Sequence, residues 1–150
     1  MGKGVLLLKN LFRLILVLPV LIAGFLVTSP SDNAEAATSG WESIYGISGC
    51  QVRVWNDAYN YTKNASTIDA YAETNGKCGT LTYKAYVVVP HVGRISNVYN
   101  GTFAHRTPTK SFYLNSLSAS GVDAWVSFDI YKNGKLLGDA YSPMFSIYKR

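Results

Sequence analysis

The stretch Val122 to Tyr141, V-D-A-W-V-S-F-D-I-Y-K-N-G-K-L-L-G-D-A-Y, decides the fold. Val122, Ala124, Val126, Phe128 and Ile130 alternate with Asp123, Trp125, Ser127, Asp129 and Tyr131. Successive side chains of an extended chain point to opposite faces, so this period of two describes a strand with one buried and one wetted side. Asn133-Gly134 follows, a pair that tolerates positive φ at both central positions of a type I′ turn. Lys135 then opens a second apolar-rich run, and the stretch as a whole predicts a β-hairpin.

The same rhythm recurs upstream. Cys50, Val52 and Val54 share one side of a first strand, with Gln51, Arg53 and Trp55 on the other. Ile68, Ala70 and Ala72 point inward from a second, with Asp69, Tyr71 and Glu73 outward. Asn75-Gly76 reads as another hairpin turn, delivering a strand over Leu81 to Val89 that Pro90 closes. His91 to Pro108 is the least regular part: Arg94 to Tyr99 suggests a short strand and Asn100-Gly101 a further turn. Thr109 to Leu117 alternates weakly through Phe112 and Leu114, and beyond the hairpin Pro143 precedes a final run, Met144 to Tyr148. About seven strands at spacings near a dozen residues, with no helical stripe among them, predict an all-β fold. The expected architecture is an antiparallel two-sheet sandwich, immunoglobulin-like in type, over residues 47–150, with 37–46 as an entry segment covering an edge.

Residues 1–36 are set apart from that domain. Lys3, Lys9 and Arg13 make a basic start, Leu14 to Val27 is apolar without a charge, and Ala34-Glu35-Ala36 places small residues where a signal peptidase reads. This order describes a secretory signal peptide, and the rival reading is a retained N-terminal anchor. No later run approaches a membrane span, so the expected location is secreted or extracellular, with cell-surface association compatible. Cys50 and Cys78 both follow the leader, and an even count in an exported chain predicts a disulfide.

The whole chain carries a net charge of +5. After residue 36, eleven basic and seven acidic residues remain, a net of +4, and they are scattered rather than blocked. That argues against a nucleic-acid partner and is compatible with a weak attraction to anionic surfaces. Catalytic signals are thin. His91 and His105 are the two histidines, neither in a metal or nucleophile motif, and Asp123 and Asp129 lie about 20 Å apart along a strand, too far for paired acid and base work. Asn56, Asp57, Asn60, Asn64 and Asp69 invite a calcium reading, but the spacing matches no EF-hand loop and turn formation accounts for them. No metal, no other cofactor and no enzymatic activity are expected.

Aromatic residues are the better candidates. Strand parity puts Trp55, Tyr71, Tyr86, Trp125 and Tyr131 on outward faces, and the loop after Asn56 adds Tyr59 and Tyr61. Rings amid polar groups give rigid contact area with little rotamer entropy to lose, which suits recognition. The sequence therefore predicts a non-enzymatic extracellular binding or interaction module whose partner is a protein or a carbohydrate. The alternative is a small secreted effector, either antibacterial or an enzyme inhibitor.

Overall fold

A computed structural model describes residues 35–150. The signal-peptide reading of residues 1–36 therefore falls almost wholly outside the described residues. In chain order the strands are β1 (Ala37–Thr38), β2 (Glu42–Ser43), β3 (Gln51–Asn56), β4 (Asn60–Tyr61), β5 (Thr67–Thr74) and β6 (Leu81–Val89). Then come β7 (Gly93–Arg94), β8 (Tyr99–Phe103), β9 (Lys110–Tyr113), β10 (Val122–Lys132), β11 (Lys135–Tyr141) and β12 (Phe145–Ile147), with a single 3₁₀ turn at Leu114–Ser116. Seven of these strands are four residues or longer, which is the number the alternation announced. Among the described residues no helix is long and apolar enough to cross a membrane.

Two sheets form the sandwich. The first runs β1-β3-β5-β9, with β2 also on β3; the second runs β4-β12-β10-β6-β7, with β11 on β10 and β8 on β6. Pairing is antiparallel except between β4 and β12, where Asn60 and Tyr61 run parallel to Ser146 and Ile147. Val52, Val54, Ile68 and Phe112 of the first sheet meet Tyr83, Val87, Phe128 and Ile130 of the second in one continuous core. Inward positions are buried and outward ones at least partly open on β3, β5 and β6, as alternation requires.

The hairpin expected over Val122 to Tyr141 forms. Asn133 (φ 52°) and Gly134 (φ 78°) take the left-handed conformations of a type I′ turn, and β10 pairs with β11. The register slips between Ile130 and Tyr131, so that Leu137 is an extra residue and β11 bends. Residues 37–46 place β1 and β2 along β3.

Two expected turns take other forms. Asn75-Gly76 does not make a hairpin, because β5 and β6 belong to different sheets. The Asn75 amide instead donates to the Gly49 carbonyl (2.8 Å) while its oxygen accepts from the Lys77 N–H (3.1 Å), tying the turn back to the start of β3. The chain then uses Lys77 to Thr80 to cross to the second layer, roughly 10 Å away. Cys78 lies in this crossover and is bridged to Cys50, with Cα atoms 4.7 Å apart.

Asn100-Gly101 is no turn either, but the middle of β8, opposite Lys84 and Tyr83. A Cβ at Gly101 would come within 2.9 Å of the Tyr83 hydroxyl, so glycine is there to let a buried ring lie across the strand. The strand expected over Arg94 to Tyr99 does not form: β7 ends at Arg94, β8 begins at Tyr99, and residues 95–98 belong to no strand.

Candidate functional site

The five outward aromatic residues do not form one surface. Trp55 and Tyr71 stand on the outer face of the first sheet, whereas Tyr86, Trp125 and Tyr131 stand on the outer face of the second, with the core between. Parity along a strand tells inside from outside but not which layer a strand joins.

On the first face the rings are occupied with one another. Trp55 and Tyr71 are register partners and stack at 4.9 Å with planes 16° apart. The Arg106 guanidinium lies 4.6 Å from the Tyr71 ring centroid, and Arg53 lies 4.4 Å over Trp41 while pairing with Glu73 at 2.5 Å. Cross-strand stacking and cation–π contacts of this kind strengthen a sheet, and they leave little open ring face for a ligand.

The second face is arranged differently. Tyr86 on β6 and Tyr131 on β10 both donate their hydroxyls to one carboxylate, Asp129, at 2.9 and 3.4 Å. Asp129 sits between them because it and Tyr131 are two apart on β10, while Tyr86 is diagonal to it across the β6–β10 pair. Burial, and then the carboxylate at its hydroxyl, raise the Tyr86 pKa, so the phenol remains a neutral donor.

Around these rings an open groove of roughly 410 Å³ is lined also by Lys84, Val88, Arg94 and Val98. A second groove of the same size adjoins it, lined by Thr82, Asn100, Thr102 and Gly134 and sharing Lys84 and Tyr131 with the first. The Lys84 ammonium rests 5.3 Å from the Tyr131 ring centroid. The site thus offers aromatic walls with fixed hydroxyls, flanked by cations, which suits stacking on sugar rings and pairing with anionic groups.

Trp125 shares this face but packs edge-on against Tyr141 at 5.8 Å rather than lining either groove. Its indole N–H is buried without a hydrogen-bond partner among the described residues. Ser127, although outward by parity, is 2% exposed because its register partners Tyr86 and Tyr141 cover it from both sides.

Of the loop candidates, Tyr59 is 42% exposed and remains accessible, but Tyr61 is a correction. Pairing with β12 turns it into the core, 1% exposed and edge-on to Phe145 at 5.0 Å. Its hydroxyl donates to Asp57 Oδ1 at 2.6 Å, and burial first, then Asp57, drive its pKa upward. The same Asp57 oxygen accepts the Asp69 N–H at 2.9 Å, so it ties the loop to β5. Lys84, Arg94 and Asp129 were missed as site residues; the signal for Lys84 and Asp129 was their outward parity beside the chosen tyrosines.

Comparison with known proteins gives two findings. The family described as YqgA MG2 macroglobulin domain matches residues 34–148. The chain is also 48% identical over 132 residues to "Cell wall-binding protein YqgA" of Bacillus subtilis (strain 168), an alignment covering 87% of this chain and 91% of that protein. No solved structure matches the chain.

Proposed function

The chain belongs to the YqgA MG2 macroglobulin domain family, and from that premise we propose that it is a non-enzymatic module of the cell exterior that binds the cell wall through the outer face of the β6–β10 pair. Export would be directed by the leader read in residues 1–36. The relative's name supplies the kind of partner, and the groove supplies the means. The observation that carries the reading is the pair Tyr86 and Tyr131, fixed by Asp129 at the wall of an open groove. Rings pinned in advance lose little freedom on binding, so their contact area is converted efficiently into affinity.

The test is co-sedimentation with insoluble cell walls. The double variant Tyr86→Ala/Tyr131→Ala, shown by its thermal melt to be folded, is expected to lose at least about tenfold in affinity, as truncation of paired aromatic anchors does elsewhere. A folded variant that sediments like the parent overturns this placement of the site.

A further inference from the structure

Among the described residues the positive charge is little neutralised by ion pairing. Among the described residues the one ion pair is Arg53 with Glu73. The other carboxylates mostly face hydroxyls instead: Asp57 takes Tyr61 (2.6 Å), Asp123 takes Ser146 (2.6 Å), Asp129 takes Tyr86 and Tyr131, and Asp139 takes Tyr141. Among the described residues, basic side chains other than Arg53 are thereby left without a carboxylate partner, and Lys132 and Arg150 donate to backbone carbonyls instead. Lys84 shows this directly, since Asp129 is its register partner and yet its ammonium turns to the Tyr131 ring.

The placement of these cations is linear. Arg94 pairs with Val88 at one end of the first groove; Lys84 lies four residues further along β6, about 14 Å away. The second groove continues from Lys84 past Tyr131 to Gly134, in a turn flanked by Lys132 and Lys135. The two grooves together follow β6 from Val88 to Thr82, a track of roughly 20 Å. Asp129 is the one acidic residue lining it, and both its oxygens already accept phenolic protons.

We infer that this track takes a linear wall polymer of sugar or polyol units bearing anionic groups, with Arg94 and Lys84 meeting successive anions and Tyr86 and Tyr131 packing on the units between. The inference rests on the wall-binding reading and adds to it the ligand's charge and shape. Anions at intervals along a chain match cations at intervals along a groove, and a compact neutral ligand would use neither the length nor the charge.

Co-sedimentation of the full chain with purified walls tests it, using the variant Lys84→Gln/Arg94→Gln, which leaves both rings and their carboxylate in place. Affinity is expected to fall about five- to tenfold, as for two exposed charge contacts, with the melting temperature unchanged. Raising NaCl from 0.1 to 1 M, which shortens the screening length from about 10 to about 3 Å, should weaken the parent more than the variant. Stripping phosphodiester-linked polymers from the walls with hydrofluoric acid separates the sources. Lost binding assigns the anion to phosphate; retained, salt-sensitive binding assigns it to carboxylates of the glycan, and either supports the track. If the charge variant binds like the parent and salt has no effect while Tyr86→Ala/Tyr131→Ala still loses binding, the anionic ligand is wrong and the wall site stands. If the tyrosine variant also binds normally, both fall.

Discussion

Glu42 shows how one side chain sets a pH response in this fold. Burial raises its pKa above the ordinary carboxylate value; an N–H of Tyr141 partly opposes this and the nearby Asp139 charge adds to it. A carboxyl with a raised pKa is at no disadvantage where both folded and unfolded chains hold the proton, and it weakens the fold as pH rises through the two pKa values. Glu42→Gln removes that ionisation while keeping an acceptor for the N–H. The variant is therefore expected to melt above the parent at pH 7, with the difference shrinking toward zero as pH falls below about 4. A constant difference across that range would mean that Glu42 acts through its shape alone. The neighbouring Tyr141, whose own pKa is raised first by burial and then by Asp139, stays a neutral donor throughout.

Among the elements, the crossover from β5 to β6 depends most on its staple. Cys50 and Cys78 close a span of 28 residues that holds β3, β4 and β5. The loop-entropy estimate for a closure of that size is about 3 to 4 kcal/mol. Cys50→Ser/Cys78→Ser should lose stability of that order in denaturant titration, with the slope of the transition steepening as the unfolded chain opens out. A loss under about 1 kcal/mol would show that the Asn75 hydrogen bonds to β3 hold the crossover unaided.

This crossover also marks where sequence reading stops. Alternation located β3, β5, β6 and β10 and their buried faces, because a strand with one wet side writes its period into its own residues. The Asn133-Gly134 hairpin was legible for the same local reason. Asn75-Gly76 carries the same dipeptide, yet its backbone serves a passage between layers, and the choice of layer is made by contacts distant in sequence. Gly101 looks like a turn residue in sequence because its requirement, room for the Tyr83 ring, lies on another strand. Tyr61 looks like a loop residue in sequence because its two-residue strand is defined by pairing with β12, some 85 positions away. The candidate site was half legible: outward rings could be named, but the joining of Tyr86 to Tyr131 through Asp129 needs the register of β6 on β10.

For the molecule as a whole, the two outer faces differ in how their rings are occupied. The first presents rings stacked on each other and capped by guanidinium groups; the second presents rings beside open grooves. Trp55→Ala/Tyr71→Ala should therefore lower stability by about 1 to 2 kcal/mol, the scale of a cross-strand aromatic pair with its packing, and, on the proposed function, leave co-sedimentation with walls unchanged. Loss of sedimentation by that folded variant would move the binding surface to the opposite side of the sandwich.

The staple has one more consequence, which concerns force. Under the proposed wall binding the domain would be tugged as the wall grows, and a chain under tension lengthens by whatever slack it can release. The 28 residues from Cys50 to Cys78 amount to roughly 95 Å of contour. While the bridge is oxidised that length cannot extend, and only reduction would add it to what a stretched chain can release.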